Sequence, residues 1–445
     1  MKINLMEKNI SGFSKLSKIE KINWLIKTYF NNDFSFKNTL INYWNSNNKL
    51  QDLHDEFVEN TVSNFYLPLG VAPNFIINGK PYALPMAIEE SSVIAAASKT
   101  AKYWSSRGGF KAEVLGMEKI GHVHFLYKGD YEKISRFIKS IKSKLKKSTF
   151  NITKKMESRG GGITSISLIN KTNKLKNYFQ LELIFNTVDS MGANFINSCL
   201  EEFAKNLIIE ASAYKYFSIE EKNIEIVMSI LSNYVPGCLV KASVSCLIND
   251  LEEESEMSKN DFCEKFVRAV NIAEIEPYRA VTHNKGIMNG VDALVLATGN
   301  DFRAVEAGVH AYASRNGTYS SLSKAWIENK KFNFELTIPL SIGTVGGIIS
   351  IHPLVKWSLN LLDNPNSSKL MELIAVAGLA QNFGAIRSLI TSGIQKGHMK
   401  MHLTNILNQL DASSIQKNKA IEYFKKNKVS LQAVSTFLNL HDDLL

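Results

Sequence analysis

A chain of 445 residues, 45% hydrophobic and 21% charged, has the composition of a folded soluble protein and is too long for one compact core, so two or three domains are expected. The net charge of +10 favours partners carrying phosphate or carboxylate without choosing among nucleic acid, a coenzyme and a dinucleotide, and the richness in Lys and Asn reads as compositional drift. Cys199, Cys238, Cys246 and Cys263 form no C-x-x-C pair and have no His at zinc-ligand spacing, which argues against a disulfide framework or zinc site and fits reduced thiols in a cytoplasmic protein.

Met1–Lys15 carries scattered charges and no continuous apolar segment, so no signal peptide is read there. Residues 14–60 read as helical, with Ile19, Ile22, Leu25 and Ile26 at helical spacing. Residues 66–84, where Pro and Gly separate short apolar runs, read as strands and turns. Glu89 and Glu90 precede a buried helix, Ser91–Trp104, which Gly108 and Gly109 close at a candidate domain boundary. Lys111–Tyr127 then reads as a strand and Tyr131–Lys147 as an amphipathic helix with Ile134, Phe137, Ile138, Ile141 and Leu145 on its apolar face. The opposite face, with Arg136, Lys139, Lys142, Lys146 and Lys147, has no interleaved aromatic residues and reads as solvated surface rather than a nucleic-acid site. Strands at Ile163–Ile169 and Phe179–Thr187 and a helix from about Met191 complete a strand–helix–strand–strand–helix unit resembling a ferredoxin-like module.

The texture of the larger domain resumes after about Tyr216. There Tyr278–Gly290 reads as a polar segment with glycines permitting a tight loop, Val291–Ala297 as a buried strand, and the residues after Asp301 as a helix. Phe332–Ile342 alternates apolar and polar residues with period two, so the charge-free stretch Leu336–Val355 continues a half-buried strand and is not a membrane span. From Gly393 the chain reads as a polar helical tail with Leu403, Ile406, Leu407 and Leu410 on one face. The expected fold is α+β: a large, mostly helical domain with a central sheet (1–110 and 217–378), an inserted ferredoxin-like small domain (111–216) and a mobile helical C-terminal tail (379–445).

Neither a Rossmann G-x-G-x-x-G nor a P-loop is present, so a dinucleotide must be held another way. Asp189-Ser190-Met191-Gly192-Ala193-Asn194 follows a strand and opens a helix, where small residues let a diphosphate approach backbone N–H groups. Taken alone, an Asp-capped helix start is the better reading of that motif. Arg279, Thr282, Lys285 and Asn289 gather donors able to grip a carboxylate and a developing oxyanion, although a polar surface loop reads equally well. Asp301 sits at the end of the expected strand and equally at a helix N-cap. Glu90 reads as a dipole-complementing acid at a helix start or as a proton donor. His398 and His402 lie four apart, but Met399 occupies the position where zinc proteases carry glutamate; one histidine in proton transfer is preferred, with surface exposure an even alternative, and no metal is expected.

In their order along the chain these clusters resemble class II, soluble bacterial-type hydroxymethylglutaryl-CoA reductase. The matching runs are Glu59–Val62, Pro85–Ser92, Asp189–Asn194, Arg279–Gly290, Leu294–Gly308, Gly343–Gly347 and Leu379–His402. The resemblance implies two hydride transfers from NADH or NADPH that take hydroxymethylglutaryl-CoA to mevalonate and free CoA. It implies a catalytic set of Glu90, Lys285, Asp301 and His398, with Asp301 beside Lys285 and His398 protonating the departing thiolate. Ser92, Arg279, Thr282 and Asn289 are implied to contact the hydroxymethylglutaryl group, and Asp189, Met191, Gly192, Ala193 and Asn194 to bind the cofactor. A cytoplasmic homodimer with active sites at the subunit interface is implied as well, with no nucleic-acid or membrane partner. Ser91 stands where relatives carry proline, and Ser14 where some carry an arginine for the CoA phosphate. The alternatives are a two-electron acyl-CoA or hydroxyacyl oxidoreductase on the same scaffold, and a catalytically silent dimer that binds CoA esters.

Overall fold

A computed structural model describes residues 8–251, 257–391, 403–425 and 427–440. Residues 1–68 and 69–445 form two compact units. In the first, helices α1 (Lys18–Tyr29), α2 (Phe34–Asn42) and α3 (Asn48–Asp55) replace a continuous helical run. Ser17 and Glu20 form a capping box that starts α1. Lys18 reaches Asp55 at 2.7 Å and lies 4.0 Å from the Trp44 ring centre, tying the first helix to the third.

The second unit begins with an antiparallel hairpin, β1 (Leu69–Ile77) and β2 (Lys80–Ala87), followed by α4 (Val93–Ser105). The segment expected as one strand over 111–127 is two: β3 (Lys111–Val114) and β4 (Glu118–Leu126) belong to different sheets. After β4 come α5 (Tyr131–Ser148), α6 (Phe150–Glu157), β5 (Gly162–Asn170), β6 (Tyr178–Asn186), α7 (Ala193–Ala213), α8 (Ile219–Lys222) and β7 (Glu225–Leu231). Strands β5-β6-β4-β7 form one antiparallel sheet in that order. This is the βαββαβ arrangement of a ferredoxin-like module, and its last strand lies beyond the expected limit at 216. Inward residues of β4 and β6 (Val123, Phe125, Phe179, Leu181, Leu183, Phe185) pack with the apolar faces of α5 and α7 into a core of their own.

A second four-stranded antiparallel sheet, β3-β8-β10-β9, carries β8 (Leu239–Leu247), β9 (Ser323–Glu328) and β10 (Lys331–Pro339). Around it lie α9 (Lys259–Ile275), α10 (Pro277–Ala297), α11 (Phe302–Ala313), α12 (Pro353–Leu361) and α13 (Ser367–Ile390). Helix α13 is long and apolar enough to cross a membrane, yet 72% of its most apolar window is buried inside the protein. It is the central core helix, and Phe383 packs against Tyr103, Trp104 and Phe266. Helix α14 (residues 403–409), α15 (Ser414–Tyr423) and α16 (Leu431–Asn439) enclose a third, small core with Leu407 and Val434 at its centre.

Two sequence expectations fail in the same place. Tyr278–Gly290 is not a loop and Val291–Ala297 is not a strand; both belong to the 21-residue helix α10. Glu276 caps its first N–H groups and Pro277 occupies its first turn. The glycines that signalled a turn serve close packing: a Cβ on Gly290 would overlap the Ala377 carbonyl of α13. A seven-residue apolar run has no periodicity that separates a buried helix from a buried strand.

Candidate active site

Helix α10 turns the Arg279–Asn289 segment into a stripe. Residues 282, 285 and 289 fall three and four apart, so Thr282, Lys285 and Asn289 share one outward face, with half-buried Arg279 beside them. Burial holds the Arg279 guanidinium below its usual pKa. The Lys285 ammonium, 57% exposed, donates to Glu90 Oε2, whose side chain is 39% exposed. Glu90 lies in the bend between β2 and α4, so the pair joins segments 195 residues apart. Ser92, at the N-cap of α4, has φ 73° and makes no capping hydrogen bond, so its hydroxyl is not used by the helix. A non-glycine residue in that backbone region is strained, a feature that gathers at functional sites.

Beneath Lys285 lies a buried polar network. His283 Nε2 is 2.7 Å from Ser323 Oγ, and Ser323 donates to Asn382 Oδ1 at 2.8 Å. Since the single hydroxyl proton goes to Asn382, His283 donates from Nε2. Burial, and then the nearby Arg279 charge, lower its pKa to about 3. Asn284 accepts from Leu322 N at 3.1 Å and donates to Ser320 O at 2.9 Å. These bonds lock the rotation of α10 against α13 and the start of β9, which fixes the direction of Lys285.

Asp301 stands at the other end of α10. It caps α11, accepting from Arg303 N at 3.1 Å and Ala304 N at 3.2 Å, and its carboxylate lies 3.2 Å from the Arg303 guanidinium. The expected placement beside Lys285 is not found within one chain. From residue 285 to 297 the helix rises about 18 Å, and Asp301 lies past its end. Its neighbour Asn300 accepts from Gly343 N at 2.8 Å, and Thr344 N donates to Asp189 O at 2.8 Å. Asp301 is thereby linked to the Asp189–Asn194 segment.

In that segment Gly192, at φ 84°, precedes α7, whose N-terminus has no side-chain cap. Its first N–H groups suit an anion, and the residues fit a diphosphate in this respect. Asp189 does not cap α7. Its Oδ1 accepts from Ser367 N at 2.8 Å, at the start of α13. Met191 and Ala193 are half-buried and Asn194 is exposed. Sequence reasoning missed Lys119, which donates to Thr187 Oγ1 at 2.7 Å, Ser190 O at 2.7 Å and Met191 O at 3.0 Å. Its signal was present: Lys119 heads the inward stripe Gly121, Val123, Phe125 of β4, where a charge is out of place.

His398 and His402 lie outside the described residues. The four cysteines are free and buried, with thiol pKa values pushed up by burial to between about 11 and about 12. Among the described residues no group of three or more His, Cys, Asp or Glu is placed to hold a metal.

The family described as hydroxymethylglutaryl-coenzyme A reductase matches residues 22–403 of the chain. The chain belongs to that family. It is 32% identical over 418 residues to 3-hydroxy-3-methylglutaryl-coenzyme A reductase of Archaeoglobus fulgidus, covering 94% of this chain and 91% of the relative. It is 34% identical over 390 residues to a probable enzyme of the same name from Borreliella burgdorferi, covering 87% and 84%. Among solved structures, the class II reductase of Streptococcus pneumoniae bound to NADPH in open conformations superposes with TM-score 0.70 at 34% identity, over 88% of this chain and 92% of that one. The class II resemblance read from the motifs is borne out, as is the mixed α and β fold of a hydroxymethylglutaryl-CoA reductase.

Proposed function

We propose that this chain interconverts hydroxymethylglutaryl-CoA and mevalonate, releasing one CoA for two equivalents of NAD(P)H and two protons consumed. The observation that carries the reading is the Lys285–Glu90 pair on the exposed stripe of α10, in a chain that matches the reductase family over residues 22–403. The dinucleotide supplies hydride when bound. As negative charge grows on the thioester oxygen, the Lys285 ammonium stabilises it, which is differential stabilisation of the transition state. Glu90, in contact with that ammonium, relays the proton passed to the second carbonyl. His398 protonates the departing thiolate, since an imidazole and a thiol have ordinary pKa values of about 6.5 and 8.5, close enough for transfer near neutral pH. In this reading Ser92, Arg279, Thr282 and Asn289 serve the hydroxymethylglutaryl carboxylate and hydroxyl, while the uncapped start of α7 takes the dinucleotide diphosphate.

The working form in this reading is a cytoplasmic homodimer. Lys285 and Asp301 stand too far apart within one chain, and a second copy brings Asp301 of the partner subunit to Lys285. Exposed apolar residues beside the stripe, Ile275 at 81% and Tyr278 at 88%, provide a surface for that copy.

The test is loss of reduced-nicotinamide absorbance with hydroxymethylglutaryl-CoA and each cofactor in turn. Two cofactors consumed per CoA released support the reading, and one per CoA favours a two-electron acyl-CoA oxidoreductase. His398→Gln is expected to impair thioester reduction far more than reduction of the free aldehyde. Equal losses overturn the thiolate role.

A further inference from the structure

Lys119 is 3% exposed and its pKa is lowered to about 8 by burial. Its hydrogen-bond partners are all neutral oxygens: Thr187 Oγ1, the Ser190 and Met191 carbonyls, and the Ile342 carbonyl at 3.4 Å. A buried ammonium without an anionic partner is costly and calls for a reason. The surrounding loop supplies one. Val188, a β-branched residue, sits at φ 50°, and Gly192 at φ 84°, where a Cβ would press on Thr187 Cγ2. A segment bracketed by two left-handed residues does not keep its shape unaided.

Three short bonds from one ammonium hold it. Thr187 Oγ1 also donates to Ser190 O at 2.6 Å, and Ser190 Oγ accepts from Gly192 N at 3.1 Å, so the ammonium organises both flanks of the turn. With the Ser190 and Met191 carbonyls held by Lys119 and the Gly192 N–H held by Ser190 Oγ, the turn is fixed on both sides, and the N–H groups left without a side-chain cap are those that open α7. Gly343 backs the segment so closely that a Cβ there would overlap Met191 N.

We propose that Lys119 is a positioning residue for dinucleotide binding, fixing the Asp189–Asn194 turn at the N-terminus of α7 in the geometry that accepts a diphosphate. The proposal rests on the reading that this segment holds the cofactor. NADPH and NADH are titrated by the fluorescence of the reduced ring against wild type, Lys119→Met, Lys119→Arg, Thr187→Val and Gly192→Val. Lys119→Met is expected to weaken dinucleotide binding about tenfold, the scale of one lost charge-assisted hydrogen bond. CoA binding and kcat at saturating cofactor are expected to stay within about twofold. Lys119→Arg restores part of the affinity, and Thr187→Val, which removes one acceptor and carries the test should Lys119→Met not fold, weakens it a few-fold. Wild-type cofactor affinity in Lys119→Met or Thr187→Val, or a matching loss of CoA binding, overturns the role of Lys119. Wild-type affinity in Gly192→Val instead overturns the reading of the segment.

Discussion

Lys285 and Lys119 are both singled out by the structure, yet they meet their charge in opposite ways. Lys285 is 57% exposed and held by one carboxylate from a distant segment, whereas Lys119 is 3% exposed and held by neutral oxygens. An exposed ion pair adds little to stability, because water already solvates both partners. Its residues are free to serve chemistry. A buried ammonium is coupled to the shape of everything it touches, so its removal rearranges a loop. The exposed lysine of α10 and the buried lysine of β4 thus divide the work, reactivity for one and backbone geometry for the other.

The sharpest break of this contrast is Lys285→Ala. Thioester reduction is expected to fall at least about 10²–10³-fold, the usual cost of a lost oxyanion donor, with the melting temperature unchanged. A melting transition that drops with the activity would place Lys285 in the fold instead. Next is Gly290→Val, whose added atoms would overlap the Ala377 carbonyl. Urea unfolding is expected to show a loss of about 1–3 kcal/mol from overpacking, while NADPH affinity measured on the folded protein persists.

The pH dependence of Lys119 gives a third test, with opposite signs in two readouts. Its folded pKa, about 8, lies below the ordinary lysine value of 10.5, so between those values the unfolded chain binds more protons and the lysine's contribution to stability rises with pH. Over the same window cofactor affinity is expected to fall as the ammonium is lost. Denaturant titrations and fluorescence binding across that range check both trends, and Lys119→Met should flatten each. His283 offers the acid-side counterpart. Its pKa is depressed from 6.5 to about 3, so its contribution is intact above 6.5 and is lost as pH falls toward 3. His283→Asn is expected to be less stable at neutral pH through the lost Ser323 bond, but to lose less on acidification through that range. The smallest expected effect is on the stability of Glu90→Gln, within about 1 kcal/mol by thermal melting, in contrast to its effect on turnover.

Much of this protein was legible along the chain, because its signals are local. The alternation of Phe332–Ile342 became β10, and the apolar stripe of 131–147 became α5. The order of motifs from Pro85–Ser92 to Leu379–His402 pointed to the family that matches residues 22–403, since a motif is read from residues adjacent in the chain. Tertiary structure decided what depends on a distant neighbour. Gly290 reads as a turn until Ala377 is seen against it, Asp189 reads as a cap for α7 until Ser367 claims its oxygen, and Lys119 gains meaning only beside the Ser190 and Met191 carbonyls. Periodicity records which face of an element is buried. It does not record which groups from elsewhere meet that face, and the pairing of Lys285 with Glu90 is set by that meeting.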